Sequence, residues 1–160
     1  MVKLHVRDLM TTQVLTIKGT DTIKQATVQF ALHNVSGAPV VDEDGHLIGI
    51  ISETDVLELV MRYQDKLSID HPSLHMLEAP MDETAVDEDI RKATEAISAT
   101  LVRNIMTRTV LTTNPDALIV DVIEGMISKN VNRVPVIEKG VLVGIISRGD
   151  IIFSIYKKKR

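Results

Sequence analysis

A chain of 160 residues, 44% hydrophobic and 25% charged, has the make-up of a soluble globular protein, with room for one ordinary domain or two small subdomains. No apolar run reaches the ~18 residues of a membrane span, and the absence of cysteine removes disulfides, thiolate catalysis and cysteine-ligated zinc together. A net charge of −4 and a scarcity of aromatics (Phe30, Tyr63, Phe153, Tyr156) argue against a nucleic-acid binder, which needs a basic face or stacking platforms.

The N-terminal Met1-Val2-Lys3-Leu4-His5 has a lysine but no apolar stretch behind it, so no secretory signal is expected and the cytoplasm is the expected location. Val6-Arg7-Asp8-Leu9-Met10-Thr11 then opens a unit that occurs twice, because Val102-Arg103-Asn104-Ile105-Met106-Thr107 reproduces it. A short β-branched stretch follows, Val14 to Ile17 and Val110 to Thr113 in the two copies. Thr20-Asp21 and Asn114-Pro115 are candidate helix starts. Behind them run apolar stripes at helical spacing: Ile23, Ala26, Thr27, Phe30 and Ala31, then Ile119, Val122, Ile123, Met126 and Ile127. Gly125 inside the second helix suggests close packing there.

A strand from Ala38 to Val41, the turn Asp42-Glu43-Asp44-Gly45 and a strand from Leu47 to Ile51 read as a hairpin. The second copy has Val134 to Ile137, Glu138-Lys139-Gly140, and Leu142 to Ile146. Pro39 and Pro135 are read as strand-start punctuation. A closing helix begins at Ser52 or Ser147. Each unit is therefore β-α-β-β-α, with strands apolar on both faces that need a partner to cover them. Between the units, Val56, Leu57, Leu59 and Val60 extend the first closing helix, Pro72 and Pro80 break it, and Ile90, Ala93, Thr94, Ile97 and Leu101 mark another helix. The expected organisation is a first unit over 4–61, a helical linker over 62–99, a second unit over 100–156 and a basic tail over 157–160.

The doubled Val-Arg-x-x-Met-Thr opening, x-Pro-Val strand and Gly-Ile-Ile-Ser-x-x-Asp ending resemble the CBS domain, which occurs in tandem pairs called Bateman modules. The resemblance spans all but the linker. It implies an α+β fold in which two repeats pack with pseudo-twofold symmetry and leave two clefts for AMP, ADP, ATP or S-adenosylmethionine-type ligands. It further implies a regulatory, energy-sensing role on an unidentified partner protein and a homodimer shaped as a four-unit disc. The expectation is a stand-alone pair with no cofactor, no metal and no membrane contact.

In the family, the aspartate closing Ser-x-x-Asp holds the ribose hydroxyls. This carries over to Asp55 and Asp150, where one carboxylate can accept from two vicinal hydroxyls. Ser52 and Ser147 open helices whose N-terminal N–H groups favour phosphate. Ile50 and Ile145 precede them on the strand. The base-binding wall comes from the opposite repeat: Thr109, Val110, Val131, Asn132 and Arg133 for the Asp55 cleft, and Gln13, Val14, Val35, Ser36 and Gly37 for the Asp150 cleft. Arg133 can reach a phosphate bidentately, whereas its counterpart Gly37 brings no charge. The clefts should differ in anion affinity, with Arg148 partly compensating.

Plainer roles stand beside these. Ser-x-x-Asp is also a capping box, and Arg133 has Glu138 as a candidate ion-pair partner. His71 and His75 have helical ligand spacing, but Pro72 lies between them. The acidic stretch Asp82, Glu83, Asp87, Glu88 and Asp89 suits a helix N-terminus. No motif for catalysis is present, so the chain is not expected to be an enzyme. The alternative to ligand sensing is a protein- or nucleic-acid-interaction role with unoccupied clefts.

Overall fold

The computed structural model describes residues 3–70 and 88–157. In chain order it contains α1 (Val6–Leu9), β1 (Ile17–Lys18), α2 (Ile23–His33), β2 (Gly37–Val41), β3 (Leu47–Ser52), α3 (Glu53–Asp70) and α4 (Glu88–Ala99). A 3₁₀ turn at Val102–Asn104 then leads to α5 (Ile119–Lys129), β4 (Arg133–Glu138), β5 (Val141–Ser147) and α6 (Arg148–Lys157). This is an α+β architecture. β1 runs parallel to β2, which pairs antiparallel with β3, and β4 and β5 form the matching hairpin. Bulges fall at equivalent places, Val40/Val41 and Val136/Ile137. His71, His75, both linker prolines, Asp82, Glu83, Asp87 and residues 158–160 lie outside the described residues.

Two cores form. One gathers Ile17, Ile23, Ala26, Phe30, Ala38, Val40 and Ile51, the other Ile119, Val122, Met126, Val134, Val136 and Ile146. The helical stripes thus bury as their spacing predicts, except at their ends, where Ala31 and Ile127 are exposed. Gly125 does allow close packing, since a Cβ there would stand 3.0 Å from Leu111 Cδ2.

The opening segments cross over. Val6, from the first repeat, is fully buried in the second core, while Val102 and Met106 belong to the first. The hydrogen bonds repeat in register. Val6 N–H donates to Ala117 O (2.9 Å), Arg7 N–H to Pro115 O (3.0 Å), and Ile119 N–H to Leu4 O (3.1 Å). The equivalent set is Val102 to Asp21 O (2.8 Å), Arg103 to Gly19 O (3.0 Å), and Ile23 to Thr100 O (2.8 Å). Each opening segment therefore caps the other repeat's first long helix, which joins the two repeats through backbone bonds as well as apolar contact.

Three local expectations change. The opening strands are shorter and later than predicted: β1 is Ile17–Lys18, and the second copy keeps a single parallel bridge between Thr113 and Val136. The reason is that the chain first pairs with the other repeat, Thr11 on Ile145 and Thr107 on Ile50, before reaching its own sheet. α2 is capped by Thr22, not Thr20-Asp21. Gln25 N–H donates to Thr22 Oγ1 (3.2 Å), and Thr22 N–H to Gln25 Oε1 (2.8 Å), a reciprocal capping box. Asn114-Pro115 forms an Asx turn, with Asp116 N–H donating to Asn114 Oδ1 (3.0 Å), and Leu118 occupies the cap position of α5 without a side-chain bond. The stretch expected as a linker also contributes to the first core: α4 packs on α2 and α3, and Ile97 is buried there.

Candidate functional site

Each hairpin places a buried proline opposite an isoleucine, Pro39 with Ile50 and Pro135 with Ile145. These prolines lie within their strands rather than at the starts. The pairing tolerates the missing N–H because the isoleucine's backbone faces away from the proline. Ile50 N–H donates to Thr107 O (2.9 Å) and Ile50 O accepts from Thr107 N–H (2.8 Å); Ile145 and Thr11 repeat this at 2.9 Å in both directions. Close approach at these crossings requires glycine one residue earlier. A Cβ on Gly49 would stand 2.7 Å from Met106 Sδ and 2.8 Å from Thr107 O; one on Gly144 would stand 2.9 Å from Thr11 O and 3.0 Å from Met10 Sδ.

Between the two hairpins lies a cavity of about 390 Å³. The first repeat lines it with Ser36, Gly37, Ala38, Pro39, Ile50 and Ser52, the second with Val131, Asn132, Arg133 and Ile145. A mostly apolar lining with a few convergent polar groups is the pattern of a small-molecule site. Ile50, Ser52, Val131, Asn132 and Arg133, predicted for one cleft, come together here. Ser36, Gly37 and Ile145, predicted for the other, join them in the same groove. Gln13, Val14, Thr109 and Val110 lie outside this lining, in the segments beyond the crossing threonines. Val35 is outside it too, and packs on the first core.

Both Ser-x-x-Asp elements form capping boxes. Asp55 Oδ2 accepts from Ser52 N–H (2.9 Å) and Ser52 Oγ (3.1 Å), and Asp55 N–H donates to Ser52 Oγ (3.3 Å). Ser147 N–H donates to Asp150 Oδ2 (2.9 Å), and Asp150 N–H to Ser147 Oγ (3.1 Å). Each box uses one carboxylate oxygen. Asp55 Oδ1 also takes a long 3.4 Å bond from Thr107 Oγ1 of the opposite repeat; Asp150 Oδ1 has no hydrogen bond among the described residues. Asp55, Ser147 and Asp150 are not part of the cavity lining, but Ser52 places Asp55 at its border.

Arg133 Nη1 reaches across the groove to Ser36 Oγ at 3.4 Å, and no ion pair with Glu138 forms among the described residues. Gly37 has no space for a side chain: a Cβ would lie 2.9 Å from Ile51 O. Arg148 turns toward its own repeat, with Nε donating to Val131 O (3.0 Å) and Nη2 to Met126 O (3.3 Å). The sequence motifs did not mark Thr107, or Ala38 and Pro39 as lining residues. The signal for Thr107 was present, because Met-Thr closes the opening motif in both repeats.

Elsewhere, Asp42, Asp44 and His46 cluster at the surface in the first hairpin turn, with no second feature that marks a metal site. Among the described residues no helix is long and apolar enough to cross a membrane.

The family model of the CBS domain matches residues 6–62 and 102–157. Uncharacterized protein MJ1426 of Methanocaldococcus jannaschii is 34% identical over 152 residues, covering 94% of this chain and 90% of that protein. The CBS domain pair of protein MJ0100, solved with 5'-methylthioadenosine and S-adenosyl-L-methionine, is similar at a TM-score of 0.65 and 25% identity, covering 99% of this chain and 100% of the other. CBSX2, solved with AMP, shares the fold at a TM-score of 0.71 and 22% identity, covering 98% of each chain.

Proposed function

The chain belongs to the CBS-domain family, and from that premise we propose that it is a regulatory ligand-sensing module rather than an enzyme. It takes an adenine nucleotide or adenosine derivative into the cleft between its two repeats and thereby modulates a partner protein, reporting cellular energy state from the cytoplasm. The observation that carries this reading is the cavity itself: both repeats contribute to it, with Ser52 at one side and Arg133 at the other. An apolar floor of Pro39, Ile50 and Ile145 suits a purine face. The Asp55 carboxylate at the border suits the ribose hydroxyls, and Arg133, together with the N-terminus of α3, suits a phosphate. Because the ligand touches both repeats, it favours one relative arrangement of them over others, which is how such a site can bias a partner's affinity.

A homodimer fits the same reading. Leu57 and Met61 on α3, and Ile152, Phe153, Ile155 and Tyr156 on α6, are each more than half exposed, and a second copy would cover them.

A thermal-shift panel of adenosine, AMP, ADP, ATP, NAD⁺, S-adenosylmethionine and methylthioadenosine tests the ligand class. A ligand at ~100 times its Kd should stabilise the fold by about 2.7 kcal/mol, several degrees in Tm. No shift with any of the seven would favour a protein-interaction role with an unoccupied cleft.

A further inference from the structure

At the position after the capping serine, the first repeat has Glu53 and the second has Arg148. Their backbones behave alike: Glu53 N–H donates to Ser36 O and Arg148 N–H to Asn132 O, both at 2.9 Å. Their side chains do not. The guanidinium of Arg148 reaches back over the end of α5, bonding Met126 O and Val131 O. Both helices end the same way, with left-handed Asn34 and Asn130, and with Val35 and Val131 N–H returning to Phe30 O and Met126 O at 3.0 Å. At the end of α5 the guanidinium adds a cation where the helix dipole is negative, with one donor for the Met126 carbonyl of the last turn and one for the Val131 carbonyl just beyond it. A carboxylate at Glu53 can supply neither.

The bonded segment is the cleft wall. Val131, Asn132 and Arg133 all line the cavity, and Arg148 holds that run through its amide on Asn132 O and its Nε on Val131 O, while Nη2 ties it to the last turn of α5 at Met126 O. The facing wall, Ser36-Gly37, has the amide bond alone from the equivalent position. We infer that Arg148 is a positioning residue. It fixes the 131–133 wall so that Arg133 stands where a ligand's anionic group arrives, and it does not itself touch the ligand. This rests on the proposed nucleotide-binding reading and names what holds its phosphate-facing arginine in place.

The test is calorimetric titration of ADP and of adenosine into wild type, Arg148→Met, Arg148→Lys, Arg133→Ala and the Arg133→Ala/Arg148→Met double variant, with Glu53→Gln as control. Arg148→Met should weaken ADP about fivefold and adenosine less than about twofold, as loss of a positioned charge-assisted bond implies. Arg148→Lys, which keeps the charge and loses the fork, should fall between and guards against a folding defect. Glu53→Gln, which removes a carboxylate from the α3 N-terminus where the phosphate is placed, should bind ADP at least as tightly as wild type. In the Arg133→Ala background, Arg148→Met should change nothing further. Amide exchange at residues 131–133 of the ligand-free protein should quicken in Arg148→Met. An equal fivefold loss in both backgrounds would mean that Arg148 contacts the ligand directly, and would overturn the inference. So would an unchanged ADP-to-adenosine ratio in Arg148→Met. Wild type that binds neither probe would overturn this inference, and the seven-compound thermal-shift panel then decides separately whether the ligand reading also fails.

Discussion

The two repeats share a backbone and differ in chemistry. Their crossings, bulges and helix ends share the same backbone bonds, and both Ser-x-x-Asp elements close as capping boxes, yet Gly37 corresponds to Arg133 and Glu53 to Arg148 at matched positions. Both substitutions put the cation on the second repeat's wall. Backbone symmetry comes from the need to bury two similar apolar hairpins against each other. The side chains around the cavity are released from that demand and have become unequal. A doubled scaffold can thus build a polarised groove between repeats of matching backbone.

The largest expected effect breaks the scaffold, not the groove. Gly49→Ala and Gly144→Ala force a Cβ into the crossing segments and should each lower stability by ~1–3 kcal/mol in urea melts. Gly49 has the tighter surroundings, 2.7 Å and 2.8 Å against 2.9 Å and 3.0 Å, so its variant should be the worse. A reversed order would show that the crossings are not equivalent in the way described. Next, Arg133→Ala should remove ~1.5 kcal/mol of ADP binding while sparing adenosine, which separates the charged wall from the apolar floor.

The hairpin turns sharpen the comparison further. The second repeat turns through Lys139 (φ 52°) and Gly140 (φ 81°), and a lysine in the left-handed region is strained. Lys139→Asn or Lys139→Gly should raise stability by about 0.5–1 kcal/mol. The first repeat instead uses Asp42. Its carboxyl lies below the ordinary carboxylate value, chiefly because it accepts the His46 backbone N–H; burial opposes this, and the Asp44 N–H and the His46 ring add to it. A lowered folded-state value means the contribution is present above ~pH 4 and is lost as pH falls through the folded value. Asp42→Ala should therefore lose slightly less stability than wild type on acidification, the smallest effect in the series. An identical acid profile would remove Asp42 from the turn's account.

Much of this was legible in the sequence. Hairpins, helical stripes and capping boxes are local, and a repeat shows each of them twice. The crossings were not legible, because identical opening motifs fit either repeat and spacing cannot say whether Val6 packs on its own unit or its twin. That exchange also displaced the opening strands. Thr22-x-x-Gln25 carried a complete capping box, yet Thr20-Asp21 looked as good until the register of the preceding loop was known. At the site, Ser52, Asp55 and Arg133 could be named from motif and charge. That the predicted residues of both clefts would share one groove depends on how close the hairpins come, and that Arg148 would bond Val131 and Met126 depends on where α5 ends. Neither distance is written in one repeat alone.

The proposed ligand site is the groove between the hairpins, on the Asp55 side. Calorimetric titration of ADP into wild type, Asp55→Ala and Asp150→Ala tests it most directly. The expected result is one ADP bound per chain, at least about tenfold weaker binding in Asp55→Ala, and a change of less than about twofold in Asp150→Ala. Binding that survives Asp55→Ala but is lost in Asp150→Ala, or no binding by wild type, would contradict it.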